Sequence, residues 1–113
     1  MKVIITQKLY NKFGQDIAMG GRPAMTLKDV IINAILTPLK DDDEKKKIEK
    51  YGLFKKLMVA EDEIDLTSEE ISLLKRVVGL LSPQLIAGQV HEMLEGKFDN
   101  SLFEALKEKT IAK

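Results

Sequence analysis

The chain has no cysteine, no tryptophan, one histidine and three prolines in 113 residues. Without thiols there is no disulfide framework, no Cys-ligated zinc, no iron–sulfur cluster and no thiol chemistry. That fits a reducing compartment, and the cytoplasm is the expected location. No charge sign dominates: 18 Lys and Arg stand against 18 Asp and Glu. No global field therefore draws in nucleic acid or an anionic membrane. Long apolar runs are missing too. The longest, residues 30–36, is broken by Asn33 and falls far short of the roughly 18–20 residues of a membrane span. The first ten residues lack the apolar stretch and small-residue cleavage site of a secretory leader.

What is present describes an ordinary globular chain, 44% hydrophobic and 32% charged, too apolar for disorder. Surface scaling lets a chain of this length bury about two-thirds of its unfolded surface. One domain is expected, in three parts: residues 1–23 a β-hairpin with a hinge, 24–96 a helical core, and 97–113 a C-terminal helix with a frayed tail.

Residues 2–19 read as extended, with Asn11-Lys12-Phe13-Gly14 as a hairpin turn and Gly14 at the position that needs positive φ. Gly20-Gly21-Arg22-Pro23 follows as the hinge. From Thr26 the period becomes helical: Thr26 and Asp29 form a capping box, and Leu27, Val30, Ile31, Ala34 and Ile35 recur on one face until Pro38. Ile32 and Leu36 widen that face, so this helix is expected to be buried on more than one side. Asp41, Asp42, Asp43 and Glu44 before Lys45, Lys46 and Lys47 mark a second helix start, acids at the positive end of the macrodipole. Ile48, Tyr51, Phe54 or the aliphatic stem of Lys55, Leu57 and Met58 are its expected buried stripe, with Gly52 inside it as a kink or a place of close packing.

The alternation from Glu61 to Leu66 suggests a short extended segment. Thr67 and Glu70 make the clearest capping box, followed by Ile71, Leu74, Val77, Val78 and Leu81. Ser82 is read as the N-cap of the next helix with Pro83 at its first position. Leu85, Ile86, Val90, Met93 and Leu94 form its stripe, and Gly96 ends it. Ser101 and Glu104 are expected to cap a last helix carrying Leu102, Phe103 and Leu106.

Chemical motifs are sparse. His91, with Glu92 and Glu95, lacks the second His of a zincin, so a structural role is expected. The acids at 41–44 lack the spacing of a calcium loop and read as helix-terminal charge. Six acids without a base between residues 61 and 70 form a negative patch, read as a solvated loop and helix start, with a docking surface for a basic partner as the alternative. No phosphate loop, dinucleotide fingerprint or nucleophile elbow is present. No enzyme, cofactor or metal is expected.

Two resemblances bear on function. Residues 66–94, with their capped helix, Gly79 and a Ser82-started helix containing Ile86-Ala87, resemble the first part of the helix-turn-helix of LuxR-type regulators. The likeness implies DNA binding, the alternative reading. It departs from the family by one extra residue between Gly79 and Ser82. Residues 82–95 also contain no Lys or Arg, which phosphate contacts require.

Over more of the chain, an extended N-terminal segment precedes TLKDVIINAIL, YGLFKKLMVA and EIDLTSEEISLLKRVVGLLSPQLIAGQVHEMLEG. This order is similar to small helical proteins of unassigned activity encoded in tailed bacteriophage and prophage genomes. The residues carrying it are Leu27, Asp29, Val30, Asn33, Ala34, Leu66, Glu70, Leu74, Gly88, Gln89 and Leu94. It implies a phage assembly factor or a modulator of a host protein.

The expected fold is mainly α: an N-terminal β-hairpin packed on a single-core bundle of four to five short helices. The expected function is non-enzymatic protein–protein interaction, with a second copy or a phage or host protein as partner. Nucleic acid and membranes are not expected partners. Either the hairpin edge, through Val3, Ile5, Leu9 and Tyr10, extends a partner's sheet, or an apolar helix face pairs with its own copy.

Overall fold

A computed structural model describes residues 1–17 and 24–111. The expected hinge at 20–23 and the last two residues of the expected tail lie outside the described residues. Five helices and two short strands occur among the described residues: β1 (Lys2–Ile4), α1 (Leu27–Leu36), α2 (Glu44–Val59), β2 (Glu63–Asp65), α3 (Ser68–Leu81), α4 (Gln84–Leu94) and α5 (Ser101–Ile111). The chain is mostly helical, with one small antiparallel sheet at its N-terminal end.

That sheet is not the expected hairpin. β1 pairs with β2, Val3 opposite Ile64, and bonds from Ile5 N–H to the Asp62 carbonyl and from Leu66 N–H to the Met1 carbonyl extend the ladder. The physical reason is alternation. Val3 and Ile64 both face the core while their neighbours face out, so pairing these two strands sets both apolar side chains on the buried side. The turn itself forms: Gly14 sits at φ +76°, its N–H bonds the Asn11 carbonyl, and Tyr10 bridges to Asp16.

α1 starts where every early N–H has an acceptor. The Thr26 hydroxyl takes the Asp29 N–H and the Asp29 carboxylate takes the Thr26 N–H. The next two donors reach the N-terminal segment: Leu27 N–H to the Gln7 carbonyl and Lys28 N–H to the Ile5 carbonyl. These are the groups an α-helix leaves unpaired at its N-terminus, so capping and tertiary docking here are one event. Leu27, Val30, Ile31, Ala34 and Ile35 are buried as expected, whereas Leu36 is exposed. α1 packs on both α2 and α3, and α3 on α4.

The capping box of Thr67 and Glu70 is present. At the α3–α4 junction the expectation needs correcting. Ser82 closes α3, its N–H on the Val78 carbonyl, and Pro83 takes the N-cap position without a side-chain bond. A residue before proline is pushed out of the helical region, and Ser82 is extended (φ −109°, ψ 150°). α4 ends at Gly96, φ +72°, with Gly96 N–H on the Met93 carbonyl and Lys97 N–H on the Glu92 carbonyl, a Schellman closure. In α5 the expected Ser101 cap is also different. Ser101 is the first helical residue and gives both its N–H and its hydroxyl proton to Asp99.

Candidate functional site

The four residues expected at an interacting edge are core residues. Val3, Ile5, Leu9 and Tyr10 are 2%, 0%, 0% and 9% exposed. Val3, Ile5 and Leu9 join one contiguous cluster with Leu27, Ile31, Leu57, Leu66, Leu74 and Leu94. Their side chains hold the N-terminal segment against the helices. Tyr10 is anchored twice. Its ring stacks on Phe103 (5.2 Å) and Phe98 (6.3 Å), and its backbone is gripped by Gln89. Gln89 Oε1 accepts the Tyr10 N–H at 2.9 Å, while Gln89 Nε2 donates to the Tyr10 carbonyl at 2.8 Å.

The second helix carries the larger surprise. Its core side is formed by Leu53, Leu57 and Lys50, with Phe54 half-buried. Ile48, Tyr51 and Met58, expected to be buried, are 63%, 60% and 53% exposed, and Val59 is 82% exposed. With 3.6 residues per turn these four lie within roughly 120° of one another, opposite Leu53 and Leu57. α2 is apolar on two sides, and the core took the side holding Lys50.

A buried ion pair permits that choice. Lys50 Nζ meets Asp42 Oδ2 at 2.6 Å, the side chains 6% and 2% exposed, and the same oxygen accepts the Leu39 N–H at 3.0 Å. The Lys50 hydrogen bond, followed by the Leu39 N–H, holds the Asp42 carboxyl below its ordinary range. Periodicity could not reveal this pair, because hydropathy places a lysine outside. The available signal was an acid eight residues upstream, just before the Asp43 cap.

The outward face of α2 combines apolar side chains with bare backbone. A Cβ built on Gly52 would touch nothing within 4 Å, so close packing within the chain does not explain this glycine. Lys55 Nζ lies 5.4 Å from the centre of the Tyr51 ring. At one end of the helix stand Lys45 and Lys47; Glu61 and Asp62 follow its other end. All four are exposed, and among the described residues none of them forms an ion pair within the chain. Beside this face a groove of ≈ 640 Å³ runs between α2 and the start of α3, lined in part by Gly52, Leu53, Glu69 and Leu73.

Elsewhere the polar chemistry is structural. His91 Nε2 lies 3.0 Å from the Lys75 carbonyl and ties α4 to α3. Asp41 is held below its ordinary range by its hydrogen bond from Arg76. At Glu70 burial pushes the pKa up, but the Thr67 N–H and the Lys56 ammonium outweigh it and the net direction is down. Among the described residues no three His, Asp or Glu side chains are grouped to hold a metal, and no helix is long and apolar enough to cross a membrane. α3 and α4 do pack together, but α4 exposes Gln84, Leu85, Gly88 and Glu92, with no cation for a phosphate.

Comparison with protein-family models, with curated proteins and with solved structures found no match to this chain.

Proposed function

We infer that the chain is a non-enzymatic protein–protein interaction protein, a single helical bundle whose working surface is the outward face of α2. One observation supports this reading: a helix that already buries Leu53 and Leu57 holds Ile48, Tyr51, Met58 and Val59 in water on its opposite side. Scattered exposed apolar residues are ordinary, but four on one side of one helix, around Lys55, favour a binding surface. Aromatic and methionine side chains are enriched at such surfaces and lysine is depleted, which suits Tyr51 and Met58 within a charged rim. A phage assembly factor, or a modulator of a host protein, is the setting the sequence resemblance implies.

A photo-crosslinking amino acid tests this in cells. Placed at Tyr51 it yields covalent protein adducts. Placed at Leu102, which is equally exposed on α5, it yields none. Equal yields at the two positions would remove α2 as the working surface.

A further inference from the structure

We propose that the outer edge of β2 is a strand-addition site for an extended basic segment of a partner protein, in which lysine or arginine alternates with apolar residues. It is a different surface from the outward face of α2. The backbone provides the site. Val3 lies opposite Ile64, with Ile5 N–H on the Asp62 carbonyl and Leu66 N–H on the Met1 carbonyl. Asp62, Ile64 and Leu66 thus turn their peptide groups toward β1, and in an antiparallel ladder the residues between them point theirs the other way. Those residues are Glu63 and Asp65. Both are exposed, and no group among the described residues takes their N–H or carbonyl. Such an edge is a template for another strand. The far edge of β1 is not equivalent, because the Ile4 carbonyl already accepts from Gln7 Nε2 at 2.7 Å.

Charge selects the occupant. Glu61, Asp62, Glu63, Asp65, Glu69 and Glu70 lie along the edge and just after it, with no base among them. The cations that pair with them are the N-terminal ammonium on Asp65, Lys2 at 4.0 Å from Glu63, and Lys56 on Glu70. Lys28, nearby, is committed to the Ala60 carbonyl. Glu61, Asp62 and Glu69 have no ion pair among the described residues, so acid is in excess. A second copy of β2 added at this edge would set acids opposite acids, which is destabilising. β1 already shows what this strand accepts: Lys2 stands opposite Asp65 and Val3 opposite Ile64, a cation on the solvent face and an apolar side chain on the core face. In an antiparallel addition, the residues opposite Glu63 and Asp65 exchange both backbone bonds with them and carry the cations as well.

The probe is a capped peptide, Lys-Val-Lys-Val-Lys, titrated to about 1 mM into the isotope-labelled full chain at low salt and followed by NMR. Saturable shifts are expected to centre on the amides of Glu63 and Asp65, whose hydrogen exchange slows severalfold. The same peptide with its lysine backbone nitrogens methylated keeps the charge and loses the donors, and is expected to leave both amides unmoved. Glu-Val-Glu-Val-Glu is expected to do the same. Glu61→Gln combined with Glu63→Gln, both at exposed positions, is expected to weaken binding severalfold with unchanged helicity. Absence of any shift at about 1 mM peptide overturns the site. Equal binding of the methylated peptide overturns strand addition and leaves only loose attraction between charges. Equal binding of the acidic peptide, or a double variant with undiminished affinity, overturns the choice of a basic partner. Shifts centred on Ile48 and Tyr51 instead would overturn the β2 site while leaving the α2 reading standing.

Discussion

Gln89 shows how much one buried polar side chain can decide. It is 3% exposed and satisfies both backbone groups of Tyr10, which sits 79 residues earlier. Leucine matches its size and would fill the same space, yet would leave a buried N–H and a buried carbonyl without partners. Each such group costs about 1–3 kcal/mol, so Gln89→Leu is expected to lower unfolding free energy by about 2–4 kcal/mol. Urea denaturation followed by circular dichroism measures it, and a loss under about 0.5 kcal/mol would show that water reaches Tyr10. Gly14 belongs to the same anchor. A Cβ there would overlap the Phe103 carbonyl oxygen, so α5 seats on the turn only because that residue has no side chain and tolerates φ +76°.

At the scale of elements, α2 separates core from surface within one helix. Leu53→Ala removes a buried side chain and is expected to cost about 2–5 kcal/mol. Ile48→Lys, one and a half turns away on the outward side, is expected to change stability by less than about 0.5 kcal/mol, even though isoleucine is the more apolar of the two by most measures. Equal losses in a denaturation series would place Ile48 in the core and erase the surface proposed here. Lys28 helps to fix the rotation of the helix: its Nζ reaches the Ala60 carbonyl at 2.7 Å, a cation at a helix C-terminus. Lys56 does so from the side through Glu70, at 2.9 Å. The helix is thus tied at its end and flank by charge, and at its centre by the Lys50–Asp42 pair.

For the molecule as a whole, the ion pairs set an acid limit. Asp41, Asp42, Glu70 and Glu95 are all held below their ordinary range in the fold. A carboxylate with a depressed folded pKa contributes stability that is present above its unfolded value and lost as pH falls through its folded one. Stability is therefore expected to be level from pH 7 to about 5 and to drop below about pH 4. Urea midpoints measured across that range check the sign: a protein that gains stability on acidification would contradict these pairs.

Much of this was legible in the sequence because it is local. The capping boxes at Thr26 and Thr67, the glycine turn at 14 and the closure at Gly96 depend on neighbours within a few residues. So does the extended character of the segment around Ile64. Tertiary structure decided what needed a distant partner. β1 chose β2 over its own hairpin, and α2 turned Leu53 and Leu57 inward because Asp42 could neutralise Lys50. That rotation decided the candidate site as well. A helix with two apolar sides has two ways to face its core, and periodicity weighs them equally. The packing of Lys50 against Asp42, with Lys28 and Lys56 holding the helix at its end and flank, goes with Ile48, Tyr51 and Met58 in water.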